Sequence, residues 1–147
     1  MAHFASVADK LAIRETIEDY LSFLDAQHWR GVASCFTADA RSQYNFEPDL
    51  LQGGDGVVDW LRARLATYLG TDHALSNLHI EVDGDSAVCD SRVTASLLYA
   101  AGEERRVAVR AIRYRDKLRR EGDRWLIHER RHEPQWQYDI PAAALRV

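Results

Sequence analysis

From Gly70 onward the chain has the texture of strands, interrupted only by short turns that each carry a glycine. The sharpest is Asp83-Gly84-Asp85, with Leu75, Leu78, Ile80 and Val82 before it and the return run Ala87 to Ala100 after it. Asp-Gly between alternating apolar residues is a strong hairpin signal, because glycine takes the positive φ that a tight two-residue turn demands. A loop at Ala101-Gly102-Glu103-Glu104 and a turn at Glu121-Gly122-Asp123 separate two further strands, Arg105 to Leu118 and Arg124 to about His132. The second half of the chain is therefore expected to be a meander of four long strands.

Ahead of Gly70 the period is helical. From Ser6, SVADKLAIRETIEDYLSFLDAQHW places Leu11, Ile17, Leu21 and Leu24 on or beside one face, with Lys10, Arg14, Glu15 and Glu18 on another. Ser6 or Asp9 can cap its start. A short second helix is expected from Trp29 to Phe36, ended by Thr37-Ala38-Asp39, then a short strand from Ala40 to Phe46. Gln52-Gly53-Gly54-Asp55-Gly56 reads as a loop with Asp55 as an N-cap. A third helix then runs from Val57 to Leu69, burying Val57, Leu61, Leu65 and Leu69. Helices segregated ahead of an antiparallel sheet mean an α+β fold. We expect a cone-shaped barrel, with three N-terminal helices packed in a strongly curved mixed or antiparallel sheet and a small-molecule pocket at its open end.

In the third long strand Val107 and Val109 fall on odd positions, but Ile112, Tyr114 and Leu118 fall on even ones. That switch predicts a β-bulge near Arg110 or Ala111, or else two short strands meeting there.

The chain has 147 residues, one domain's worth, and no Pro/Gly/Ser linker divides it, so residues 1–147 read as a single domain. A formal net charge of −4 argues against a nucleic-acid partner. In the basic run Arg105, Arg106, Arg110, Arg113, Arg115, Lys117, Arg119, Arg120, the odd members from Arg113 to Arg119 alternate with Tyr114 and Leu118 and acids lie nearby (Glu103, Glu104, Asp116, Glu121), the pattern of a solvated or dimer-interface sheet face. Cys35 and Cys89 are far apart and form no CxxC pair, so they read as buried free thiols in a reducing compartment. No apolar run approaches the roughly 18 residues of a membrane span, and Met1 to Ala12 lacks the apolar core of a signal peptide. No membrane partner and a cytoplasmic location are the expectation.

Two titratable residues stand out. His73 sits near the mouth of the first long strand. Asp25 ends the first helix, where its charge opposes the helix dipole, and it lies four residues past Leu21 on the inward stripe. A carboxylate that accepts one ring N–H of a histidine fixes the tautomer and makes the other nitrogen more basic, able to take a proton from carbon.

The helical N-terminus, LDAQHWRGVASCFTADA, the Gly-Gly loop before the third helix, HALSNLHIEVDGDSA and the closing GDRWLIHERRHE together resemble the SnoaL-like branch of the nuclear-transport-factor-like superfamily. That branch includes polyketide cyclases, scytalone dehydratase, a bile-acid dehydratase and hexachlorocyclohexane dehydrochlorinase. The resemblance spans about Ala8 to Arg131. It implies that Asp25 and His73 are the catalytic pair, His73 as the base and Asp25 as its orienting carboxylate. It further implies that Tyr20 and Tyr44 donate hydrogen bonds to a substrate oxygen, and that Arg130 polarises a leaving group or binds a carboxylate. Tyr20 and Asp25 are about 140° apart around the helix, so they can border one wide cavity but not share a narrow stripe. Arg131 points to the face opposite Arg130.

The implied activity is that of a cofactor-independent lyase, of dehydratase or dehydrohalogenase type, on a cyclic apolar molecule. A ring isomerase or polyketide cyclase uses the same residues. A non-catalytic subunit, like the small subunit of aromatic-ring dioxygenases, is the reading from another class. His128 and His132 share a strand face but lie about 13 Å apart, too far to chelate one metal, and no metal is expected. The resemblance also implies a homodimer or homotrimer through the outer sheet face, with Trp125, Trp136 and Tyr138 available for contact.

Overall fold

The computed structural model describes residues 2–143, with side chains from Ser6 on. The elements in order are α1 (Ala2–Asp25), α2 (Trp29–Ser34), β1 (Phe36–Tyr44), β2 (Leu51–Gln52), α3 (Gly53–Leu65), β3 (Gly70–Asp83), β4 (Ser86–Ala101), β5 (Glu104–Glu121) and β6 (Arg124–Pro141). The fold is α+β. Its single six-stranded sheet has the order β2-β1-β6-β5-β4-β3 and is curved but unclosed. Neighbours are antiparallel except β1 and β6, which run parallel from Phe36 opposite Ile127 to Tyr44 opposite His132. The sheet is thus mixed, and β2 and β3 are its free edges.

Helix α1 lies against β3 and β6. Its buried stripe is Ile13, Ile17, Tyr20, Leu21 and Leu24, a 4-3-1-3 spacing that keeps one side of a 3.6-residue helix on the concave sheet. Leu11, expected on or beside that face, is 58% exposed. The helix also starts before Ser6, so neither Ser6 nor Asp9 caps it. Asp9 instead accepts hydrogen bonds from Arg120 (2.8 Å) and the Trp125 indole (3.2 Å), tying α1 to the ends of β5 and β6. At the other end Gln27, at φ 53°, turns the chain, and His28 caps α2 by accepting the Gly31 N–H at 2.9 Å.

Thr37-Ala38-Asp39 does not end a helix but forms part of β1, which pairs with the last strand. The glycine-rich stretch is already helical from Gly53, and Asp55 lies inside the first turn of α3 instead of capping it. Gly54 permits the approach of α2: a Cβ there would stand 2.3 Å from the Ala33 carbonyl oxygen. Helix α3 ends at Leu65, so Leu69 lies outside it and is 56% exposed.

The meander has the expected order, and the first hairpin turns at Gly84 with φ +58°, Asp83 pairing with Ser86. Strand β5 keeps one parity. Ala108, Ile112, Tyr114, Asp116 and Leu118 are buried on the concave side, and its register with β4 is continuous. Val107 and Val109 therefore face outward beside Ile140 and Tyr138. A bulge is present at the expected height, but its extra residue belongs to β6: Ala111 pairs with Trp136 and Ile112 with Pro134, leaving Gln135 unpaired. A second bulge in β6 leaves out His128, and β6 runs on well past His132.

The outer face of β5 is laced with ion pairs, including Arg113 with Asp90, Arg115 with Glu133, Lys117 with Glu129, and Arg119 with Asp39 and Glu121. Such pairs contribute little each and mark a solvated surface. Trp136 and Tyr138 stack on each other on that side, with centroids 6.3 Å apart. Trp125 does not join them. It is buried on the concave side, against the expectation that it serves an outer contact. No helix among the described residues is long and apolar enough to cross a membrane.

Candidate active site

The end of α1 delivers Asp25 to the first residues of β3. There the carboxylate accepts three hydrogen bonds: from Thr71 Oγ1 (2.8 Å), from the His73 backbone N–H (2.8 Å) and from His73 Nδ1 (2.6 Å). These donors explain how a carboxylate is tolerated at a helix C-terminus, where the dipole opposes it. Partial burial works to raise the Asp25 carboxyl, but the bonds from His73 and Thr71 outweigh it and hold the group below the ordinary carboxylate range. An ionised carboxylate only accepts, so Nδ1 carries the ring proton and Nε2 is left as the basic nitrogen. The His73 side chain is 6% exposed.

Strand β3 has its own bulge at Ser76 to His79, with Asn77 at φ 49°. Before it, Thr71, His73 and Leu75 face inward opposite Leu97, Ala95 and Val93 of β4. Period-two geometry therefore puts His73 inside the cone.

His73 lines a cavity of about 40 Å³ whose other walls include Leu24, Leu61, Leu97, Tyr114, Arg110 and His132. It is mainly apolar, and Asp25 stands behind His73, outside the lining. This volume holds only a few waters, well below the roughly 300–1,000 Å³ of a ligand pocket. A ring can enter only if lining side chains swing aside. A larger depression of about 460 Å³ lies among the charged residues of the outer face, away from the dyad. The smaller cavity is the candidate site because the histidine lines it.

The other residues singled out from sequence sit around this cavity but not in it. Tyr20 and Tyr44 are fully buried, and their hydroxyls meet at 2.9 Å. Burial pushes both hydroxyls upward, so they stay protonated. Tyr44 stacks on His132 at 4.8 Å. Arg130 faces inward and Arg131 outward, but the Arg130 side chain is 0% exposed and bidentate to Asp116, with both bonds at 2.8 Å. The rings of Tyr20 and Tyr114 lie 4.2 and 4.4 Å from its guanidinium carbon. As folded, Arg130 holds a carboxylate of its own chain and does not line the cavity that holds His73.

Three cavity residues were not picked out as ligands from sequence. His132 is buried with no partner on Nδ1. Burial first, and then the Arg130 charge, push its ring down to about 3. Asn45, in the left-handed region at φ 54°, has an unpartnered buried Oδ1. Arg110 was read as part of the basic surface run, but its parity with Ile112 and Tyr114 turns it inward. No group of three or more metal-ligating side chains occurs among the described residues. Cys35 and Cys89 are both buried and free.

Comparison with known proteins gives a consistent picture. The SnoaL-like domain family matches residues 5–131. An uncharacterized protein of Mycobacterium tuberculosis strain H37Rv is 31% identical over 135 residues, 88% of each chain. Among solved structures, a candidate scytalone dehydratase from Novosphingobium aromaticivorans superposes with a TM-score of 0.83 at 23% identity, covering 98% of this chain and 95% of that one. A hexachlorocyclohexane dehydrochlorinase from Novosphingobium barchaimii superposes with a TM-score of 0.81 at 19% identity, covering 99% and 97%. At those identities the structural likeness speaks for the fold alone. The match along most of its length, together with the open mixed sheet around α1, makes this chain a member of the SnoaL-like family, within the nuclear-transport-factor-like superfamily.

Proposed function

We propose that the protein is a cofactor-independent lyase that abstracts a proton from carbon of a small cyclic molecule. One observation carries the reading: a histidine fixed by a carboxylate lines an apolar cavity inside the cone. His73 is the base, taking the proton on Nε2. Asp25 orients the ring and stabilises the imidazolium that forms. A departing hydroxide or halide leaves from the adjacent carbon as the electron pair of the broken C–H bond becomes the new double bond. Tyr20 and Tyr44 do not line the cavity; in this reading they reach the substrate through His132 and Tyr114, which do.

A ring isomerase or cyclase needs the same pair and differs only in lacking a leaving group. A bracing role without catalysis is favoured by the small volume of the cavity. The deciding experiment screens hydroxylated and halogenated cyclic compounds for elimination, with His73→Ala as the comparison. The lyase reading expects turnover by the wild type and a loss of about 10²–10⁴ in the variant. Equal turnover by the two proteins would end it.

Assembly into a homodimer or homotrimer through the outer face belongs to the same reading. Trp136 (63% exposed), Tyr138 and Ile140 supply an apolar surface for it. Sedimentation of wild type against Trp136→Ser is the check, a monomer in both cases being the contrary result.

A further inference from the structure

Arg110 differs from most basic residues of β5, and unlike Arg105, which is exposed and also unpaired among the described residues, it lines the cavity. Arg106, Arg113, Arg115, Lys117, Arg119 and Arg120 each pair with a carboxylate. Arg110 pairs with none among the described residues. Its guanidinium makes only two long bonds to neutral groups, to the Tyr68 hydroxyl at 3.3 Å and to Gln137 Oε1 at 3.2 Å. It is half-buried, and it is the one permanently charged side chain lining the cavity that holds His73. No acidic residue lines that cavity, and the nearest functional carboxylate, Asp25, is already taken by Thr71 and His73.

The same walls carry unsatisfied polarity. His132 Nδ1, in a residue more than nine-tenths buried, and Asn45 Oδ1 have no hydrogen-bond partner. Buried polar atoms without partners are uncommon, and His132 Nδ1, in the tautomer that carries its proton there, can donate to a ligand oxygen, whereas Asn45 Oδ1 only accepts and gives a carboxylate nothing. A guanidinium presents a planar fork that matches a carboxylate with two parallel bonds, and in a site largely removed from water that bond is strong.

We propose that the cavity takes a ring compound bearing a carboxylate, with Arg110 as the residue that binds that carboxylate. The proposal rests on the reading of this cavity as the substrate site and adds the charge of the ligand. The carboxylate displaces the two neutral partners of Arg110, and the apolar walls of Leu24, Leu61, Leu65 and Leu97 receive the ring.

The test is calorimetric titration at pH 7 with benzoate and cyclohexanecarboxylate against their primary amides, which have the same shape and no charge. Trp60, which lines the cavity, supplies an independent fluorescence signal. The acids are expected to bind at least about tenfold more tightly than the amides, the scale of one charge-assisted hydrogen bond. Arg110→Gln should abolish that preference while leaving amide affinity in place, and Arg110→Lys should retain part of it. Arg131→Gln, on the outer face, should behave as wild type. The lysine variant keeps the test decisive if the glutamine variant folds poorly. Equal binding of acid and amide, or an acid preference that survives Arg110→Gln, would overturn the proposal. If His73-dependent elimination is found on neutral rings and is indifferent to added charge, the lyase reading stands and this one falls. If neither acid nor amide binds, this proposal falls, and the lyase reading is decided by the elimination screen alone.

Discussion

The Asp25 carboxylate grips His73 twice, taking the ring Nδ1–H at 2.6 Å through one oxygen and the backbone N–H at 2.8 Å through the other. Ring orientation and strand position are thereby fixed by one group from another element. Asp25→Asn should lower turnover by about 10²–10⁴, because the amide can no longer favour the tautomer with a free Nε2. It should also lower unfolding free energy by about 1–3 kcal/mol, measured by urea titration, since charge-assisted bonds become neutral ones. The carboxyl is held below its ordinary range, so its stabilisation is complete above that range and is lost as pH falls through the lowered value. The variant should lack that acid-side slope.

Arg130 and Asp116 form a fully buried ion pair between two strands. Arg130→Met leaves a buried carboxylate without its counter-charge and should cost about 3–5 kcal/mol in chemical denaturation. The double variant Arg130→Met with Asp116→Leu should be more stable than that single variant, as two apolar side chains replace the pair. A double variant less stable than the single would refute the buried-charge account.

His132 is neutral in the folded protein, its ring pushed down to about 3 by burial and by the nearby Arg130 charge. The unfolded chain binds the proton near the ordinary histidine value of about 6.5, so the folded state loses stability as pH falls from there toward the folded value. The slope from this one group is at most about 1.4 kcal/mol per pH unit. His132→Phe keeps a ring against Tyr44 and cannot titrate. Thermal melts between pH 7 and pH 4 should show a smaller fall for the variant than for wild type.

Cys35 and Cys89 are buried, and burial pushes their thiols up to about 11 and about 12. Thiolate is the reactive form, so neither should react with an aromatic disulfide reagent at pH 8 in the native protein. Both should react at once in denaturant. Fast labelling of either in the folded protein would contradict the packing described here.

The meander was legible because alternation and glycine turns are local signals, and Asp83-Gly84-Asp85 turns where its residues require. Element ends were less so. Helix α3 begins at Gly53 because α2 packs on Gly54 through Ala33, a contact between distant residues that no local pattern announces. Leu11 is apolar yet exposed, since the buried side of α1 is set by the sheet it meets. For the site, Asp25 could be placed inward from Leu21, and Arg130 from strand parity. The Asp116 partner of Arg130 could not, because it depends on the register between β5 and β6. Arg110 was grouped with the solvated basic run, although only the odd members from Arg113 to Arg119 show the alternation of an outer face. Even parity with Ile112 and Tyr114 was the signal that would have turned it inward.

The parallel pairing of β1 with β6 joins residues 36–44 to residues 127–132, with α3 and three long strands between them in sequence. During synthesis, the first strand has only the two-residue β2 to pair with until β6 is made. The part of the cavity wall that His132 supplies cannot be finished until the last strand arrives. Closure that depends on contacts so distant in sequence makes folding slow, because the entropy of joining the two strands is lost before their pairing rewards it.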